Sequence, residues 1–150
     1  MDKFFPTFIA KYSNPQQLLN TSDQELTDDL RFLGLYNRRC QAFKEISLRI
    51  INEYNGTVPS DEEALSALPH VGPYTLTAVL CFCFNKHRAV VDVNVERILV
   101  RVHGLNAPKN AYQKWIVELA EKMLPNSNVV KYTFGLLDID AFYCKRSKMK

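Results

Sequence analysis

Missing from this 150-residue chain are a strand-length alternation of apolar and polar residues, any internal repeat and any low-complexity tract. Those absences exclude a β-sandwich, a solenoid and a disordered tail. No apolar run reaches the roughly 20 residues needed to cross a bilayer; the stretch Leu76 to Phe84 is far too short. The N-terminus Met1-Asp2-Lys3-Phe4-Phe5 lacks a basic region followed by a long apolar core and a small-residue cleavage site. Cysteine is sparse, with only Cys40, Cys81, Cys83 and Cys144. Cys81 and Cys83 lie two apart on one predicted helix, point different ways, and read as small apolar fillers in a reducing compartment. The expectation is an intracellular protein.

What is present is a composition with 47% hydrophobic residues, enough to bury a core as one compact domain or two small lobes. The net charge of +3 and pI near 8.7 are mildly basic, which permits nucleic-acid binding without demonstrating it. Helical spacing recurs along the chain. A first helix is predicted over Lys3 to Tyr12 and a short one from Pro15 to Leu19. Another opens at Thr21-Ser22-Asp23-Gln24-Glu25 and ends near Gly34. Tyr36, Cys40, Phe43, Ile46, Ile50 and Tyr54 mark the apolar face of an amphipathic helix whose basic side carries Arg38, Arg39, Lys44 and Arg49. Asn55-Gly56 closes it. Further on, Ala111 to Leu124 is helical by period, with Trp115, Leu119 and Met123 on one face and Pro125 as the stop, and a last helix runs from Val129 or Val130 to Tyr143. The predicted architecture is all-α.

Two stretches in the middle carry the chemistry. Ser60-Asp61-Glu62-Glu63 has the spacing of a capping box, with the Ser60 hydroxyl on the backbone of Glu63, opening a short helix that runs to about Leu68. Pro69 ends it. Gly72 supplies the permissive backbone of a turn and Pro73 fits the first position of the next helix, whose opening N–H groups and positive dipole end suit a phosphate. The residues that follow, Leu76 to Phe84, are apolar apart from Thr77, so that helix is expected to be buried nearly all round. Then Ala89-Val90-Val91 forms an extended approach to Asp92, and Asn94 is placed to cap a helix whose apolar positions are Val95, Ile98, Leu99 and Val102. A carboxylate at Asp92 faces a dipole end that favours negative charge, and is available as a base, a nucleophile or a stabiliser of positive charge. Taken alone, Asp92 also fits a carboxylate that merely bonds nearby backbone N–H groups.

Leu68-Pro69-His70-Val71-Gly72 followed by Val91-Asp92-Val93-Asn94-Val95-Glu96-Arg97 resembles the signature of the helix-hairpin-helix DNA glycosylases of the endonuclease III superfamily: a Leu-Pro-Gly-Val-Gly hairpin, then Val-Asp-x-Asn-Val-x-Arg. The likeness continues through Gly34 to Arg39 upstream and Leu136 to Cys144 downstream, and so spans nearly the whole chain. It implies two helical lobes with the substrate cleft between them, in one glycosylase-like domain over residues 1–150. Asp92 is implied as the catalytic carboxylate, with Tyr74 as the second catalytic residue. His70, Val71, Gly72, Tyr74, Thr75, Arg38 and Arg39 would contact DNA, and Asn94 and Arg97 would be structural. Bifunctional members carry a lysine where Tyr74 stands, which forms a Schiff base and cuts the strand; a phenol cannot. Tyrosine there is similar to the adenine and mismatch-thymine branches, and Gly34 to Arg39 with Ile50 to Gly56 is closer to the thymine enzymes.

The implied activity is therefore monofunctional excision of thymine or uracil opposite guanine, favoured over adenine opposite 8-oxoguanine, from double-stranded DNA by a monomer. The alternatives are a catalytically inactive helix-hairpin-helix DNA-binding module or fragment, and a helical partner-binding domain in which Asp92 only caps a helix. Three departures from the pattern stand out. His70 replaces the first hairpin glycine, and Pro73 removes one N–H donor from the same anchor. Relatives also often begin with a pocket-lining helix and hold a [4Fe-4S] cluster on four cysteines; here the first helix resembles the one that follows that element, and Cys144 alone matches the cluster loop, so the chain reads as truncated at both ends. No cofactor is expected in the chain as given, and a cluster only if a parent protein continues past Lys150.

Overall fold

The computed structural model describes residues 4–104 and 114–144, and among them every regular element is helical. The chain divides into two compact units, Met1–Val71 and Gly72–Lys150, so the boundary falls inside the predicted hairpin.

The first unit contains α1 (Phe4–Lys11), α2 (Pro15–Asn20), α3 (Asp23–Leu30) with a 3-10 turn at Arg31–Leu33, α4 (Tyr36–Tyr54) and α5 (Glu62–Ser66). Side chains set several of the starts. Asn14 accepts the N–H of Gln17 to open α2, and Ser22 accepts that of Glu25 to open α3. Helix α4 has the bounds its apolar period predicts. Its end is fixed by Asn55 and Gly56, both left-handed at φ 51° and 75°. Helix α5 corrects the expected capping box: the cap is Asp61, whose carboxylate accepts the N–H of Ala64 at 2.9 Å, one residue later than Ser60. A carboxylate side chain at the cap also suits the positive end of the helix dipole better than a hydroxyl one residue earlier.

Tyr12, Leu26, Leu30 and Cys40 form the centre of this unit, with Phe4, Phe8, Leu18, Leu33, Tyr36 and Phe43 packed around them. Phe8 is the hub of the aromatic part, with ring centroids 5.4 Å from Phe4, 4.8 Å from Tyr12 and 5.9 Å from Phe43. The Tyr12 hydroxyl donates to Asp29 at 2.6 Å, and Lys11 reaches the same carboxylate at 2.6 Å and Glu25 at 2.9 Å. Burial alone would raise the Asp29 carboxyl, but the donors from Lys11 and Tyr12 outweigh it and hold the group below its ordinary 3.8.

The second unit contains α6 (Pro73–Phe82), α7 (Val93–Val102), α8 (Lys114–Lys122) and α9 (Val129–Phe142). Its main core joins Ala89, Val91, Val95, Leu99 and Val100 to Ile116 and Ala120, flanked by Leu119, Met123, Leu124, Leu136 and Leu137. The extended approach Ala89-Val90-Val91 is buried throughout, and the Ala89 N–H is satisfied by the Glu121 carboxylate at 3.0 Å. Three sequence expectations shift here. On α7 the inward set is Val95, Ile98, Leu99 and Val100, while Val102 is exposed. On α8 the buried positions are Ile116 and Ala120, with Trp115 turned toward solvent, a rotation of one residue. Helix α6 ends at Phe82 and buries only Leu80 and Cys81, because an all-apolar helix has no face preference of its own and is covered only where neighbours pack, as in the Phe82–Phe134 stack at 5.2 Å. Cys81 is buried, its thiol pushed up by burial, and fills the core as expected, whereas Cys83 is exposed just past the end of α6 and is not a filler.

Two stability outcomes follow. Asp61→Ala should cost about 1 kcal/mol and Ser60→Ala nothing measurable, read as the difference in denaturation midpoint. Asp29→Asn should cost about 1 kcal/mol at pH 7 after discounting for its partial exposure. Because the folded value of Asp29 is lowered, its contribution is full above 3.8 and is lost as pH falls through the folded value. Thermal melts should therefore converge for wild type and Asp29→Asn in strong acid; a gap that persists there would remove Asp29 from the account.

Candidate functional site

Asp92, and not Asn94, is the N-cap of α7. Its Oδ1 accepts the backbone N–H groups of Asn94 at 2.9 Å and Val95 at 2.8 Å, and its Oδ2 accepts the Asn94 side-chain amide at 2.8 Å. Two residues of spacing explain the swap: Asn94 already lies in the first turn, where its side chain cannot reach the N–H groups that need a partner, whereas Asp92 can. A carboxylate has about four lone-pair sites, and the described contacts fill three of them. The remaining one is on Oδ2, and the residue is half-buried.

Asn94 continues inward. Its amide oxygen accepts from the Arg97 guanidinium at 2.9 Å; the same nitrogen of Arg97 pairs with Asp140 on α9, and the Arg97 Nε donates to the Cys144 carbonyl at 3.0 Å. The structure thus brings together Asp92, Asn94, Arg97 and Cys144 of the expected residues, and adds Asp140. Nothing in the sequence reading singled out Asp140, because its partner lies 43 positions away and an acidic residue near a helix end is ordinary surface. Next to Arg97, Glu96 is buried and its carboxyl is pushed up by desolvation.

The hairpin departs from expectation in one respect. The left-handed residue is His70, at φ 60°, while Gly72 sits at φ −86° and ψ 175°, a conformation open to any residue. His70 therefore occupies the position where a glycine costs nothing and a side chain costs about 1–2 kcal/mol. Its imidazole Nε2 lies 2.7 Å from a Glu45 carboxylate oxygen on α4, which offsets part of that strain. The Val71 N–H is turned back to the Leu68 carbonyl at 3.4 Å. Pro73 takes the first helical position as expected, and Tyr74 and Thr75 follow in the opening turn of α6, both exposed. A methyl group built on Gly72 would meet no atom within 4 Å.

Arg38 and Arg39 are both exposed on the first turn of α4, in the same unit as His70 and Val71. The Arg39 Nε donates to the Gly34 carbonyl at 3.1 Å, so this side chain also braces the turn that precedes its helix. Cys144 accepts a contact from Arg101 at 3.1 Å on its sulfur. Among the described residues no group of three or more His, Cys, Asp or Glu side chains is placed to hold a metal ion, and Cys40, Cys81 and Cys83 are not gathered with Cys144. A four-thiolate cluster therefore does not fit the described residues.

Three similarities bear on this arrangement. A thymine/uracil-DNA glycosylase from Methanothermobacter thermautotrophicus is 36% identical over 149 residues, covering 99% of this chain and 67% of the relative. A thermostable thymine-DNA glycosylase of known structure superposes with a TM-score of 0.90 at 35% identity, over 97% of this chain and 68% of that one. A trapped endonuclease III–DNA covalent intermediate shares the fold, with a TM-score of 0.86 at 24% identity over 99% of this chain and 68% of that one. This chain thus spans about two thirds of the length of each. The family model for the HhH-GPD superfamily of base excision DNA repair proteins matches residues 1–124, and it is to this family, with its all-α endonuclease III-like fold, that the chain belongs.

Proposed function

We propose that this chain is a monofunctional DNA N-glycosylase that hydrolyses the bond between sugar and base at a thymine or uracil opposite guanine in duplex DNA. The observation that carries the reading is the Asp92 carboxylate, held by three donors at the head of α7 with one lone pair left on Oδ2. As the base departs, positive charge grows on the sugar. A fixed anion that need not reorganise stabilises that charge, and the free lone pair can orient the attacking water. The target nucleotide must leave the stack for its sugar carbon to be reached, and the hairpin from His70 to Thr75, with Arg38 and Arg39, would hold the strand's phosphates while it does. The phenol of Tyr74 offers no amine for an imine, so the product is an intact strand with an abasic site. The preference for thymine and uracil is supported by the 36% identity to the archaeal thymine/uracil-DNA glycosylase. The chemistry proposed uses no cofactor; Cys144 would supply one cluster ligand only within a longer parent protein.

A second reading, a catalytically inactive helix-hairpin-helix DNA-binding module or fragment, is favoured by His70 alone, because an anchor weakened there would grip the strand too loosely for the reaction. Its left-handed strain and its contact with Glu45 place a side chain and a carboxylate where the hairpin would meet phosphate.

Duplex oligonucleotides carrying G·T, G·U or adenine opposite 8-oxoguanine, treated with alkali to cut abasic sites, separate the two. Wild-type protein should release uracil and thymine and leave the strand uncut until alkali is added. Asp92→Asn should lose activity about 100-fold or more, while melting close to wild type because asparagine is an equally good N-cap. Equal activity in both proteins would remove Asp92 from the reaction, and scission without alkali would overturn the monofunctional assignment. His70→Gly should tighten duplex binding about threefold at low salt, by freeing the turn for phosphate; weaker binding would show that the imidazole itself contacts the strand.

A further inference from the structure

Asp92 does not hold its own orientation. Of its three donors, two are backbone groups fixed by α7, and the third is the Asn94 amide, whose two ends are chemically opposite. Whether that amide offers N–H or C=O to Oδ2 depends on what faces its other end. Arg97 has only donors, so the Asn94 oxygen must turn to it and the NH₂ must turn to Asp92. Arg97 is in turn held against α9 by Asp140 and by the Cys144 carbonyl. The Arg97 and Asp140 side chains are only 20% and 15% exposed, so this pair is poorly screened.

We propose that Asp140 is a positioning residue for the reaction: through Arg97 and then Asn94 it fixes which face of the Asp92 carboxylate is left open. The inference rests on Asp92 being the reacting carboxylate. Without the Asp140 charge, Arg97 loses its anionic partner, the Asn94 amide is free to flip, and an amide oxygen opposed to Oδ2 would swing the carboxylate off its line. Asp140 touches neither DNA nor water in this scheme. Its effect is on rate, through geometry at a residue it does not contact, and a displacement of about 1 Å at a reacting group can cost up to about 100-fold.

The test is a double-mutant cycle on single-turnover release of uracil from a G·U duplex at saturating protein, with duplex Kd and the melting temperature measured alongside. Asp140→Asn should slow the step about tenfold and leave Kd unchanged within about twofold. Asn94→Ala should slow it by a similar factor, and the double variant should be no slower than either single one, because both break the same relay. Asp140→Glu, which keeps the charge, should recover most of the rate. Full rate in Asp140→Asn, or effects that multiply in the double variant, would overturn the proposal. If Asp140→Asn does not fold, Asn94→Ala decides alone, full rate there being the overturning result. Inactive wild-type protein, or activity in Asp92→Asn equal to wild type, would instead mark failure of the Asp92 assignment itself.

Discussion

The carboxylate–backbone contact at the head of α7 is the constraint on which the second unit depends. Asp92 ends a buried extended segment and starts the helix whose inner face carries Val95, Ile98, Leu99 and Val100. Losing such a cap costs about 1 kcal/mol, which is small beside the core it precedes. Its larger consequence is directional. Two backbone N–H groups carried by the helix fix one oxygen of the carboxylate, and the Asn94 amide, with Arg97 behind it, turns the other.

Much of this was legible in the sequence, and the misses share a cause. Helix α4 was found with its bounds because its apolar residues repeat at 3.6-residue spacing and its end is marked by two residues that tolerate left-handed backbone. Caps were placed one or two residues away from where they act, Ser60 for Asp61 and Asn94 for Asp92, since adjacent hydroxyl, amide and carboxylate side chains all fit the pattern and only local geometry chooses among them. The same holds for the hairpin: sequence marks a turn with Gly72, yet the strained position is His70. On α6 the pattern expected more burial than the neighbours supply, and on α8 it placed Leu119 and Met123 on the core side but took Trp115 for Ile116, because coverage depends on partners far away in the chain. Asp140 was invisible for that reason as well; a pair across 43 positions leaves no local trace.

Polar contacts do different work in the two units. Around Asp29 they close a knot between α1 and α3, where Tyr12, Lys11 and Glu25 converge on what is otherwise an aromatic core. Around Arg97 the side chains form a line instead, running from Asp140 through Arg97 and Asn94 to Asp92, with backbone contacts bracing Arg97 and Asp92. A knot resists the loss of a member by sharing load among the rest. A line passes the loss along, which suits it to setting an orientation and makes it a poor source of stability.

The unhindered α-carbon at Gly72 has an implication for how such a protein can diverge. Its backbone lies where any residue is comfortable, and the space above it is empty. A methyl group introduced there would meet none of the polypeptide's own atoms, so alanine could enter at this spot without a steric toll on folding. Position 70 has no such latitude, since its left-handed backbone ties every exchange except that to glycine to conformational strain.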